Sequence, residues 1–188
     1  MLIKICGLTR PIDIDYVNEL KPDYIGFIFA LNKRRTITID KAKELKKKLD
    51  KNIKVVGVFL NNDINYIKQI VDEGIIDLIQ LHGNEDDNYI KEIKLFTNLE
   101  IIKAYRISKY ANYVLYDNVE PGLGIKICYD NLNKEKPFFL AGGIDISNID
   151  EAIKENPYCI DISSGVESNG FKDYEKIKEV IRRCKNGI

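Results

Sequence analysis

Leu2-Ile3-Lys4-Ile5-Cys6 stands near the start of the chain and Tyr24-Ile25-Gly26-Phe27-Ile28-Phe29 follows it, with the polar stretch Asp13–Leu20 between them. The two outer runs carry the Ile, Tyr and Phe that strands favour. The middle stretch has helical composition. Strand, helix and strand in this order make one βαβ unit, whose strands pair in parallel.

The unit recurs along the whole chain. Further strand-like runs are Ile53–Phe59, Asp77–His82, Glu100–Tyr105, Tyr113–Asp117, Pro137–Ala141 and Tyr158–Ser163. Helical stretches are Thr38–Leu49, Asn62–Glu73, Glu85–Leu95, Asn148–Glu155 and Asp173–Cys184. Eight strand-like runs predict an α/β fold, a (βα)8 TIM barrel over residues 1–188 as one domain; an open doubly wound sheet is the structural alternative. Such barrels typically need about 250 residues, so this one is compact. Only Ser108–Asn112 joins the fifth and sixth strands, which leaves helix 5 reduced or absent. Asn118–Glu135 has room for one short helix.

Composition narrows the function. The 188 residues are 45% hydrophobic and 31% charged, with a formal net charge of zero. That balance suits a soluble globular protein and lacks the basic excess of a nucleic-acid binder. No apolar run approaches about 18 residues, so no membrane span is expected. The N-terminus reads as a strand, not a signal peptide. Cys6, Cys128, Cys159 and Cys184 are widely spaced, without a zinc-type cluster. Free thiols in a cytoplasmic protein, with no metal and no cofactor, are the expectation.

In a (βα)8 barrel the active site lies at the C-terminal ends of the strands. The polar residues that end strands here are Cys6, His82, Arg106 just past the fifth, Asp117, and Asp161 with Ser163. Lys4 and Cys6 share one strand face and Ile3 and Ile5 the other. The apolar pair should meet the helices, so Lys4 and Cys6 point into the barrel, with Asp161 on the eighth strand as the lysine's partner. Cys6 before a glycine is a candidate reactive thiol. Gly142-Gly143 and Ser163-Ser164-Gly165 follow strands seven and eight, where barrels commonly hold a phosphate on glycine turns and helix N-termini.

The motifs that carry these residues resemble those of the phosphoribosylanthranilate isomerases of tryptophan biosynthesis. Lys4-Ile5-Cys6-Gly7-Leu8-Thr9 is similar to that family's N-terminal signature. Gly26-Phe27-Ile28-Phe29 with Arg35, and Gln80-Leu81-His82-Gly83, are similar to its second and fourth strands. Leu140-Ala141-Gly142-Gly143-Ile144 and Asp161-Ile162-Ser163-Ser164-Gly165-Val166-Glu167 resemble its phosphate loops. The resemblance implies the Amadori rearrangement of N-(5-phosphoribosyl)anthranilate to 1-(2-carboxyphenylamino)-1-deoxyribulose 5-phosphate. It implies Cys6 as general base, Asp117 as general acid, Arg35 on the anthranilate carboxylate and Asp161 close to the substrate.

Acid–base work asks for an aspartate with a raised pKa and a cysteine with a lowered one, the former through burial and the latter helped by helix N-termini. His82, the only histidine, reads as a pocket-lining or structural residue in the substrate site. The chain departs from the family where Lys33 replaces a serine and Arg34 adjoins Arg35, and where Pro121-Gly122-Leu123-Gly124 and Tyr129-Asp130-Asn131 replace the usual loop after Asp117. Two other functions stand beside this one. The related isomerase of histidine biosynthesis would carry an aspartate at Cys6, and a silent phosphate-ligand binder would need neither Cys6 nor Asp117. The partner is a small phosphorylated molecule, and the chain is expected as a monomer or homodimer.

Overall fold

The structure, a computed structural model, describes residues 1–117 and 132–186. Eight parallel strands close into a barrel in sequence order, β1 to β8, with β8 paired back onto β1. They are β1 Leu2–Cys6, β2 Tyr24–Ile28, β3 Lys54–Phe59, β4 Leu78–Leu81, β5 Glu100–Ala104, β6 Tyr113–Tyr116, β7 Phe138–Leu140 and β8 Cys159–Ile162. The helices outside are α1 Pro11–Leu20, α2 Ile39–Lys48, α3 Ile64–Asp72, α4 Asp87–Lys94, α5 Ile149–Lys154 and α6 Tyr174–Asn186. A closed barrel leaves no strand edge unpaired, and the open-sheet alternative is thereby set aside. No described helix is long and apolar enough to cross a membrane.

Strand parity sorts the buried side chains into two layers. Ile3, Ile5, Ile25, Phe27, Val55, Ile79, Leu81 and Ile101 belong to the layer packed under the helices. Their neighbours along each strand, among them Cys6, Tyr24, Val56, Val58, Leu78, Ile102, Leu115 and Phe139, fill the barrel interior. Alternating residues of a strand face opposite sides, so the two clusters are one pattern read twice. Aromatic rings close the bottom: Tyr113 stacks on Tyr158 with centroids 4.9 Å apart, and Phe139 meets both Tyr24 and Tyr113.

Helix starts follow sequence signals. Thr38, Asp63 and Asp86 cap α2, α3 and α4 through side-chain oxygens that accept from Lys41, Asn65 and Tyr89 backbone N–H groups. Between β5 and β6 no helix forms. The Asn112 side chain accepts from the Ile101 N–H at 3.0 Å, and Lys136 Nζ donates to the Ser108 and Ala111 carbonyls at 2.6 and 2.7 Å. These bonds satisfy backbone groups that the missing helix would have covered. Most of Asn118–Glu135, where a short helix was expected, and Cys128 lie outside the described residues.

A feature absent from the sequence reading follows β8. A 3-10 turn, Ser164–Val166, leads into a small antiparallel hairpin, β9 Glu167–Ser168 and β10 Phe171–Lys172. The turn grows directly out of the glycine-bearing segment Ser163-Ser164-Gly165.

Candidate active site

The interior is apolar except at its C-terminal mouth. In the β1–β8 register Lys4 stands opposite Asp161, and Lys4 Nζ reaches Asp161 Oδ2 at 2.6 Å with both groups buried. Lys4 Nζ also donates to Gln80 Oε1 at 3.0 Å. Burial works against the lysine's charge, but Asp161 and Cys6 together override it and hold Lys4 above the ordinary lysine range. The other oxygen of Asp161, Oδ1, is buried with no hydrogen-bond partner among the described residues. An unsatisfied carboxylate oxygen carries a desolvation cost of about 1–3 kcal/mol or more, which a ligand hydroxyl or N–H would relieve.

Cys6 ends β1 beside this pair and is 6% exposed. Gly26, its register partner on β2, makes the space: a Cβ there would come within 2.5 Å of Cys6 Sγ. Burial pushes the Cys6 thiol up, against the pull of Lys4, with a further push from Asp161 and a further pull from Lys172. The expectation of a depressed thiol is thus corrected, because desolvation outweighs the two cations.

Across the mouth, His82 follows β4 and Asp117 follows β6. His82 Nε2 lies 3.2 Å from Asp117 Oδ2 and 2.9 Å from Tyr105 Oη, and His82 Nδ1 lies 3.0 Å from Gln80 Nε2. Burial, and then the charge of Asp117, pushes the Tyr105 phenol up to about 12. Asp161, Lys4, Gln80 and His82 thus form one hydrogen-bonded chain across the barrel, with Asp117 3.2 Å beyond its last ring nitrogen. The loop under His82 is pinned by a second buried pair: Lys103 Nζ to Glu85 Oε2 at 3.2 Å, while Glu85 also accepts from the Asn61 and Gly83 N–H groups.

The glycine loops after β7 and β8 touch. Gly142 and Gly143 sit at φ +94° and +66°, and neither N–H donates within the described residues. A Cβ on Gly165 would meet the Ile144 carbonyl oxygen at 1.9 Å. α5 begins only at Ile149, so Gly142–Gly143 form a turn of their own and do not open that helix.

Arg35, expected at a ligand carboxylate, lies against a carboxylate of the chain itself. Its Nε and Nη2 bond Glu167 Oε1 and Oε2 at 2.6 and 2.9 Å. Arg34 also pairs with Glu167 and donates to the Gly170 carbonyl at 2.5 Å. Lys172 Nζ completes the cluster, bonding Glu167 Oε1 and the Ser163 carbonyl, each at 2.8 Å. Ser163 Oγ in turn donates to the Cys6 carbonyl at 3.1 Å. Burial would raise Glu167, yet Arg35, Lys172 and Arg34 bring it down to about 2. Sequence reasoning gave no role to Gln80, Glu167 or Lys172. Gln80 was within reach, since it shares a strand face with His82, whereas the other two depend on a hairpin of two-residue strands. Arg106 points to the structural side, donating to the Glu85 carbonyl at 2.5 Å.

Comparison with known proteins shows the family. Residues 3–183 match the family model of N-(5'phosphoribosyl)anthranilate (PRA) isomerase. An N-(5'-phosphoribosyl)anthranilate isomerase of Endomicrobium trichonymphae is 45% identical, covering 96% of each chain. A phosphoribosyl anthranilate isomerase solved in complex with reduced 1-(o-carboxyphenylamino)-1-deoxyribulose 5-phosphate superposes with a TM-score of 0.82 at 28% identity over 98% of each chain. Monomers generated from the dimeric enzyme of Thermotoga maritima superpose equally well, at 0.82 and 28% over 99% of each. The chain acts as an isomerase in tryptophan biosynthesis, and it belongs to the N-(5'-phosphoribosyl)anthranilate isomerase family.

Proposed function

We propose that the Amadori rearrangement runs here between Cys6 as general base and Asp117 as general acid. Asp117 gives its proton to the furanose ring oxygen of N-(5-phosphoribosyl)anthranilate as the C1–O bond breaks, leaving a Schiff base. Cys6, as thiolate, takes the proton from C2. The C2–H electron pair becomes the C1–C2 double bond, and the pair of the C–N double bond returns to nitrogen. The resulting enolamine tautomerises to the ketone. Electrons only move within the substrate, so the chemistry calls for neither a redox cofactor nor a metal.

The observation that carries this reading is the polar chain from Asp161 to Asp117 across the mouth of an otherwise apolar barrel, with Cys6 beside its Lys4–Asp161 end and Asp117 at the other. The strands β1 and β6 that supply them are three apart by the shorter way round, as two groups acting on different atoms of one sugar require. The orphaned Asp161 Oδ1 suits a sugar hydroxyl between them. Gly142, Gly143, Ser163, Ser164 and Gly165 would take the phosphate on backbone N–H groups and a hydroxyl. Arg35 would grip the anthranilate carboxylate, and His82 would line the pocket beside Asp117.

Every residue named lies on one chain, so a monomer or a homodimer can carry the reaction. A small phosphorylated substrate suits a cytoplasmic enzyme. The test is turnover of N-(5-phosphoribosyl)anthranilate, followed by loss of its fluorescence. General acid and base groups contribute about 10²–10⁴-fold each, so Cys6→Ala and Asp117→Asn should each cut kcat by that order with KM nearly unchanged. Near-normal kcat in either variant removes that residue from the mechanism.

A further inference from the structure

Gln80 stands between two groups that use its two amide atoms differently. A lysine ammonium can only donate, so the amide oxygen must face Lys4, as it does at 3.0 Å. The amide N–H then faces His82 Nδ1, 3.0 Å away. The orientation follows from the lysine and not from how an amide happens to be built. An N–H that points at Nδ1 needs a lone pair there. The hydrogen of the neutral ring must therefore sit on Nε2, which faces Asp117 Oδ2 at 3.2 Å and Tyr105 Oη at 2.9 Å. Gln80 is 2% exposed and Lys4 is fully buried, so water does not compete for these positions.

We propose that the Lys4–Gln80 pair locks His82 as the neutral Nε2–H tautomer, and that this lock keeps the acid proton on Asp117. The inference rests on Asp117 as the acid. Imidazole is a stronger base than a carboxylate. With its lone pair on Nε2, His82 would take the proton from Asp117 and leave a carboxylate, which has nothing to give to the furanose oxygen. Locked, it presents an N–H instead. That N–H lies between Tyr105 Oη and Asp117 Oδ2, and its approach to Oδ2 directs the acid proton to the other carboxyl oxygen. As the proton leaves for the sugar, the same hydrogen bond stabilises the carboxylate that forms. Gln80 and His82 are on this account positioning residues that act through Asp117.

The sequence makes the test clean, because His82 is the only histidine. In protein labelled with ¹⁵N at the imidazole, the two ring nitrogens give one pair of resonances that report the tautomer directly. The wild type should show a bare Nδ1 and a protonated Nε2. Gln80→Glu replaces the N–H with a second acceptor that can still hold Lys4, so the ring should gain a proton at Nδ1 and kcat should fall about 10²-fold with KM little changed. Gln80→Met, of similar size and without polar atoms, should give a mixture of tautomers and an intermediate kcat if the glutamate does not fold. A wild type with its proton on Nδ1 overturns the proposal. So does a folded Gln80→Glu that keeps the Nε2–H form, or one that changes tautomer at unchanged kcat. Asp117→Asn separates the two ideas: normal kcat there removes the acid assignment, while the ring spectrum decides the lock by itself.

Discussion

Arg35 lies side-on against Glu167, with two parallel hydrogen bonds of 2.6 and 2.9 Å. This arrangement uses Nε and one hydrogen of Nη2. The opposite edge, Nη1 with the second hydrogen of Nη2, has no hydrogen-bond partner among the described residues. A guanidinium held by one edge presents the other in a fixed plane, which suits a second carboxylate. The expectation that Arg35 meets the anthranilate carboxylate and the finding that it meets Glu167 are therefore compatible: Glu167 aims the guanidinium, and the proposed substrate carboxylate would take its other edge.

Arg35→Ala should weaken substrate binding more than Arg34→Ala. Hydrogen bonds to charged groups are worth about 1.5–3 kcal/mol, so the loss at Arg35 should raise KM roughly 10–100-fold. Arg34 is about half exposed and spends its donors on Glu167 and the Gly170 carbonyl, and its loss should cost a few-fold at most. A larger KM effect at Arg34 would show that the neighbouring arginine reads the carboxylate.

Glu167 also ties acid stability to this cluster. Its carboxyl is held at about 2 instead of 4.5. A depressed folded-state pKa contributes stability above the unfolded value, and that contribution fades as pH falls from about 4.5 toward 2. Glu167→Gln should therefore be destabilised relative to wild type at pH 7, and the gap should close at low pH, where the protonated glutamate resembles glutamine. Urea melts of both proteins from neutral pH downward measure the gap. A gap of constant size would mean that Glu167 does not ionise into the arginines.

The two glycine loops make a separate prediction. Inorganic phosphate or sulfate should compete with substrate. Gly143 sits at φ +66°, where a side chain is strained by about 1–2 kcal/mol, and a bulky one would also cover its N–H. Gly143→Leu should raise KM about tenfold or more and weaken phosphate inhibition in parallel. Gly165→Ala must displace the Ile144 carbonyl and should disturb both loops at once. Unchanged KM and no anion competition would place the phosphate elsewhere.

What the sequence made legible is what a short-range rule can carry. Period-two parity placed Lys4 and Cys6 inside the barrel and Ile3 and Ile5 outside it. The barrel's closure in chain order then put Asp161 beside Lys4. The shortness of Ser108–Asn112 announced a missing helix. Beyond that reach the reading stopped. Gln80 and Lys4 are 76 positions apart, and Arg35 and Glu167 are 132 apart. Their pairing depends on the stagger of the strands and on a hairpin too short for any periodic signal. The ionisation of Cys6 is a balance of burial and the Asp161 charge against two ammonium groups, and residue types alone do not say which wins.

That balance yields the last prediction. Burial raises the Cys6 thiol in the free protein, while Lys4 and Lys172 pull it down. In the proposed mechanism the thiolate is the base, so kcat/KM, which reports the free enzyme, should climb with pH along a limb lying above the usual thiol range near about 8.5. Alkylation by iodoacetamide should follow the same limb and abolish activity, and a phosphorylated product analogue should protect. Lys172→Met keeps the shape of that side chain and removes one of the two cations, so both limbs should move to higher pH. Cys159 is fully buried with its thiol pushed well up, and Cys184 is pushed to about 11. Replacing these two and Cys128 should leave the alkylation sensitivity in place. Cys6→Ser should be as crippled as Cys6→Ala, since a hydroxyl is a far weaker base than a thiolate; each should lose about 3–5 kcal/mol of transition-state stabilisation. Should Cys6→Ala retain near-normal kcat, or Lys172→Met leave the limb where it was, the proton at C2 is taken by another group, and Asp161 with its unpartnered Oδ1 is the next to test, followed by His82.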